Sequence, residues 1–203
     1  MDQAPDTRRL VEDAKNGDRE AFRTIYERYG SRIYGFLYRL IGSRHEAEDA
    51  TQQTFLIALK RLGTLRDPNM LESWVYRIAR NEVYQKFRRK QMDSLDEGGL
   101  KLFAEKMTDT RLHGQPEKIL LNQELSAVIQ SVLMCMPLKL REVFFLAVFE
   151  EKSYQDISKI VGRSLLSVKT DIYRARLIAK EKIGGYLISG DKFLGQKQKR
   201  AGQ

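Results

Sequence analysis

Two sets of side chains in this 203-residue sequence have the types and spacing to act on a partner molecule. Lys169, Thr170, Tyr173, Arg174 and Arg176 fall on the polar side of one helical stretch, a combination that can meet both phosphates and base edges in a major groove. Arg77, Asn81, Tyr84 and Arg88 fall at i, i+4, i+7 and i+11 of another. From Arg77 to Lys90 this second stretch carries Arg77, Arg80, Lys86, Arg88, Arg89 and Lys90 against only Glu82. Cations interleaved with an amide and a ring can track phosphates and stack unpaired bases, typically at ~1–3 kcal/mol per base. The bland alternative is a solvated charged face with Trp74 in the core.

Catalytic chemistry finds little support. Glu46, Glu48, Asp49, Gln52 and Gln53 form a polar, partly acidic strip, but Glu46 and Glu48 are two apart and do not share a helical face, as a metal-dependent nuclease would need. His45 and His113 lie far apart and lack the partners of a zinc site. The single cysteine, Cys135, excludes an internal disulfide, and between Met134 and Met136 it reads as a small buried hydrophobe. No metal, no cofactor and no enzyme activity is expected.

The elements that must position these residues are helical. Apolar residues recur at three and four almost throughout. A short helix with Leu10, Val11 and Ala14 precedes a long one after Asn16-Gly17-Asp18, its stripe running Phe22, Ile25, Tyr26, Tyr29, Ile33, Phe36, Leu37, Leu40 and Ile41. Gly42 stops it. Ser43 and Glu46 form a capping box for a third helix, in which Ala47, Ala50, Phe55, Ala58, Leu59 and Leu62 face inward and Gly63 marks the end. After a loop from Thr64 to Asn69, Leu71, Val75, Ile78, Ala79, Val83 and Phe87 give a fourth helix its buried stripe.

From Gln91 to Pro116 the periodicity dissolves into a linker with one helical turn around Leu100 to Met107. The chain therefore reads as all-α: an N-terminal helical domain over residues 1–90, a flexible linker over 91–116, a second helical domain over 117–185 and a basic tail over 186–203. In the second domain Ile119, Leu120, Leu125, Val128, Ile129, Val132 and Leu133 share a helix, and Pro137 precedes another carrying Leu140, Val143, Phe144, Ala147 and Val148. Then Tyr154, Ile157, Ile160 and Val161 stack on one face, Gly162 turns the chain, and Ser164 caps a helix whose inner face reads Leu165, Val168, Ile172, Ala175 and Ala179. Two short amphipathic helices hinged at one glycine are the helix-turn-helix pattern. Gly184-Gly185 is expected to break the last helix.

The net charge of +9 and pI near 9.6 favour a polyanionic partner. No stretch approaches the roughly 18 apolar residues of a membrane span, and MDQAPDTRRL lacks the apolar core of a signal peptide. A cytoplasmic protein without membrane insertion is expected.

Four segments, in order, resemble the extracytoplasmic-function sigma factors, the compact bacterial class carrying the second and fourth sigma regions. They are GDREAFRTIYERYGSRIYGFLYRLIG, EAEDATQQTFLIAL, SWVYRIARNEVYQKFRRK and SYQDISKIVGRSLLSVKTDIYRAR, and the likeness spans about Asp18 to Ile183. The resemblance implies a subunit that binds core RNA polymerase and directs it to specific promoters. It implies that Glu48, Asp49, Gln52, Gln53 and Phe55 dock on the polymerase clamp. Trp74, Arg77, Asn81, Tyr84 and Arg88, with Arg66 in the loop, would capture a flipped base of the melted minus-ten element. Lys169, Thr170, Tyr173 and Arg174, with Arg163 and Ser164 before them, would read the minus-thirty-five element as duplex. An anti-sigma factor is the implied inhibitor.

Three positions depart from the family's usual pattern. Gln53 stands where a carboxylate is usual, Leu166 near where a small residue is usual, and Asp171 where a basic one is frequent. Asp171 leaves two placements open: contact with a base amino group, or a turn away from the DNA. Two other functions compete, a self-sufficient duplex-binding regulator and a scaffold with solvated basic faces. Only the first of these would bind DNA with salt dependence, and it has no use for the face from Trp74 to Lys90.

Overall fold

The computed structural model describes the backbone of residues 7–96 and 116–200, with side chains for 7–89 and 125–184. All regular structure among the described residues is helical. The chain divides into two compact units, Met1–Gln123 and Glu124–Gln203. The helical turn expected around Leu100 to Met107 lies outside the described residues.

In the first unit, α1 (Thr7–Lys15) buries Leu10, Val11 and Ala14 on one face. Gly17 takes a left-handed φ of 94°, which lets the chain reverse without a Cβ clash. Asp18 then caps α2 (Arg19–Ile41), its carboxylate accepting from the Glu20 and Ala21 amides at 2.9 and 3.2 Å. Gly42 ends α2 at φ 86°, its amide donating to the Tyr38 carbonyl.

Ser43 caps α3 (Arg44–Arg61) by accepting from the Glu46 amide. The inner face of α3 is small: Ala47, Ala50 and Ala58 with Thr51, Thr54 and Phe55. Both buried threonine hydroxyls donate to carbonyls one turn back, Ala47 at 2.7 Å and Ala50 at 2.6 Å, so neither leaves a polar group unmet. Leu59, expected inside, is 50% exposed. Leu62 is buried as expected, but the end of α3 differs from expectation, because a 3-10 turn over Leu62–Thr64 continues from it. Gly63 takes no left-handed φ.

A second 3-10 turn, Pro68–Met70, is capped by Asp67 and leads into α4 (Leu71–Asp96). No glycine or proline falls between Lys90 and Asp96, so α4 runs six residues beyond the expected boundary at Lys90. Tyr76, which the periodicity omitted, is fully buried and meets Phe36 edge-on at 5.3 Å.

Helix α5 (Pro116–Met134) crosses the division at Glu124, and the second unit holds its remainder with α6 (Leu138–Val148), α7 (Tyr154–Val161) and α8 (Leu165–Arg200). Val132, Leu133 and Met136 pack against Ala175 and Ala179, with Leu140, Phe144 and Ile178 around them. Arg141 is buried and donates to the carbonyls of Met134 and Met136 at 3.2 and 2.9 Å, closing the C-terminal end of α5. Burial lowers its guanidinium to about 10, so it stays charged at neutral pH. Cys135, expected inside, is exposed. Leu165, expected on the inner face, is 36% exposed. Helix α8 passes through Gly184-Gly185 where a break was expected, since each helical glycine costs only ~1 kcal/mol.

Candidate polymerase and nucleic-acid interfaces

Helix α3 presents Glu48, Asp49, Gln52 and Gln53 as an exposed strip. Phe55 does not join them. It is 4% exposed and lies edge-on to Tyr26 at 4.8 Å, so it shapes the strip from beneath rather than touching a partner. The side chains that the sequence reading missed are Leu56 and Leu59, 52% and 50% exposed, at i+4 and i+7 from Gln52. Two open leucines bordered by acids and amides have the make-up of a protein interface, an apolar centre with a polar rim.

On α4, Arg77, Asn81 and Arg88 are exposed, while Trp74 and Tyr84 are half-buried. The Arg80 guanidinium lies over the Tyr84 ring at 4.3 Å, which fixes the ring and adds positive charge beside it. Asn81 opens into a groove of about 560 Å³ between α3 and α4, shared with Asp49, Gln53, Lys86 and Arg89. The fold thus brings one expected base-capturing residue beside two expected polymerase-facing ones. Arg66 is exposed on the loop before α4. That loop is held from α1, where the Lys15 ammonium donates to the Leu65 carbonyl at 2.5 Å. Arg32 on α2 pairs with Glu72 at 2.7 Å and secures the first turn of α4.

The helix-turn-helix is built as its sequence demands. Ser153 caps α7, accepting from the Asp156 amide at 3.1 Å, and Gly162 ends it at φ 66°. The Ser158 hydroxyl donates to the Arg163 carbonyl at 2.5 Å across the turn. Ser164 caps α8 through the Ser167 amide. Lys169, Thr170, Tyr173 and Arg174 then stand exposed together, joined by Leu166 at 75% exposure. Val168, Ile172, Ala175 and Ala179 face the core.

Asp171 is on that inner side, 3% exposed. Its carboxylate accepts from the Arg163 guanidinium and lies 3.4 Å from the Lys139 ammonium. Of the two placements left open, it takes the inward one, away from the exposed face of Lys169, Thr170, Tyr173 and Arg174. Arg163, expected among the DNA contacts, is correspondingly drawn inward, with its other terminal nitrogen 2.6 Å from Glu142. No single stretch signals this set, since Glu142 lies 21 residues upstream of Arg163.

The chain matches the Sigma-70 region 2 family over residues 25–92 and the Sigma-70 region 4 family over residues 126–177. It is 30% identical over 182 residues to the ECF RNA polymerase sigma factor SigW of Bacillus subtilis, covering 87% of this chain and 96% of that protein. It belongs to the extracytoplasmic-function sigma factors. As such it associates with core RNA polymerase and promoter DNA and directs promoter-specific transcription initiation.

Another relative of this sigma factor is the RNA polymerase sigma-H factor of Pseudomonas aeruginosa, 29% identical over 82% of this chain and 88% of that one. Among solved structures, CnrH in complex with the cytosolic domain of CnrY shares the fold at a TM-score of 0.67 and 21% identity, covering 90% of this chain and 99% of that one. The sigma factor RpoE of Bartonella quintana, in complex with the anti-sigma factor NepR, does so at 0.67 and 22%, covering 80% and 96%. The region 2 match takes in the α3 strip and the α4 face, and the region 4 match takes in the helix-turn-helix. Among the described residues no helix is long and apolar enough to cross a membrane.

Proposed function

We propose that the three faces divide the work of initiation. The α3 strip of Glu48, Asp49, Gln52 and Gln53, extended by Leu56 and Leu59, seats on the polymerase. The α4 face and the loop bearing Arg66 take an unpaired base of the minus-ten element, with Trp74 and Tyr84 as rings and Arg77, Asn81 and Arg88 as polar contacts. The outer face of α8 reads the minus-thirty-five duplex through Lys169, Thr170, Tyr173 and Arg174.

One observation carries the reading of α8: Lys169, Thr170, Tyr173 and Arg174 share one exposed face, while the acid that lies among them in sequence, Asp171, is removed from it. A helix that enters a groove lined by phosphates gains from this sorting of charge. The protein acts in the cytoplasm as a dissociable subunit with no catalytic step of its own. An anti-sigma factor is its regulator, covering faces that polymerase would otherwise engage; the solved relatives in complex with NepR and with the CnrY cytosolic domain support this.

In vitro transcription with core polymerase on a promoter library tests the whole. Specific transcripts that depend on this protein are expected. If none appear while the protein alone retards duplex DNA, a self-sufficient regulator is the better account.

A further inference from the structure

A buried ion cluster beneath the helix-turn-helix lies apart from the three exposed faces assigned above. Glu142 on α6 has a side chain 0% exposed, Asp171 on α8 4% and Arg163 in the turn 16%. Arg163 gives one terminal nitrogen to each carboxylate, with Glu142 at 2.6 Å. Lys139, at 3.4 Å from Asp171, supplies a second cation, so two acids meet two bases. A lone buried carboxylate would be costly, whereas a neutral and geometrically matched set is tolerated. Such sets are weak as general stabilisers; their best-attested use is to fix one arrangement among several that a purely apolar core would allow.

The planar guanidinium gives that effect a direction. Its donors are held in a rigid fork, so satisfying Glu142 and Asp171 together fixes the angle between α6 and α8. Val168, Ile172 and Ala175 alone present a smooth apolar surface that resists rotation of α8 less sharply. We propose that Arg163 and Asp171 are positioning residues for upstream-element readout: they lock the rotation of α8 so that Lys169, Thr170, Tyr173 and Arg174 meet the groove in one register. This rests on the reading of the outer face of α8 as the upstream DNA-binding surface.

The test uses holoenzyme formed from core polymerase and the full chain. A promoter recovered from the library is compared with the same promoter carrying a scrambled upstream element. D171N leaves Arg163 paired with Glu142 and nearly conserves shape, so a folded protein is expected. Its ratio of affinities for intact over scrambled promoter should fall about tenfold, the scale of one misplaced base contact. The dependence of affinity on salt should not change, because no phosphate contact is lost.

A direct contact by Arg163 makes the opposite forecast. R163M would then lower the salt slope by about one, and D171N would tighten binding by removing an acid. Either result overturns the proposal. So does a D171N protein that is less stable yet discriminates as well as the wild type. K169A/R174A serves as the control and should lower the salt slope; if it leaves upstream affinity untouched, the reading of α8 itself falls.

Discussion

Ser153 performs two tasks with one hydroxyl. Its oxygen accepts from the Asp156 amide, and its O–H donates to the Asp156 carboxylate at 2.6 Å. That bond, first among the causes, holds the carboxyl below its ordinary 3.8. A lowered carboxylate contributes stability that is present above the ordinary value and lost as pH falls through the lowered one. S153A should therefore cost about 1 kcal/mol at neutral pH through the lost cap, and the gap from wild type should narrow below about pH 4, as urea unfolding at both pH values would show. At the same scale, N81A and Y84A should reduce promoter opening about tenfold, the value of one base-stacking contact, while binding to core polymerase stays within twofold. Permanganate reactivity of the melted strand and a polymerase-binding titration separate the two effects, and equal losses would remove α4 from the melting role.

Among the helices, α3 most clearly shows how far sequence periodicity reaches. Its existence and its Ser43 start follow from local spacing and capping chemistry. Its facing does not, because Phe55-Leu56-Ile57-Ala58-Leu59 is apolar without interruption and offers no polar residue to mark the outer side. Close approach by its neighbours settles the matter: alanines and self-bonded threonines go inside, and Leu56 and Leu59 are left out. L56S/L59S should then change stability by less than about 1 kcal/mol, as for substitutions at exposed sites, while weakening association with core polymerase at least tenfold. Unfolding midpoints and a binding titration check both halves. The outer face of α8, proposed above to read the duplex, was legible for the reverse reason, since basic and apolar residues alternate there with helical period. The inward placement of Arg163 and Asp171 was not, because it depends on Glu142 from another helix.

For the molecule as a whole, the net charge of +9 matters through where it is displayed. Cations concentrate on α4 and on the outer face of α8, whereas α3 turns acids and amides outward. Promoter binding by holoenzyme should weaken steeply with added salt, and K169A and R174A should each lower the slope of log affinity against log salt by about one. Fluorescence titrations at several salt concentrations would measure it, and an unchanged slope in both variants would place the phosphate contacts elsewhere. The bond from Lys15 to the Leu65 carbonyl has a consequence for where the working unit begins. The region 2 match starts at Ile25, yet the loop bearing Arg66 hangs from a helix that lies wholly upstream of it. A protein trimmed to the family boundary would keep every proposed base-contacting residue and lose the strut beneath them. If the α4 face captures the melted base as proposed, α1 (Thr7–Lys15) serves promoter opening as scaffolding.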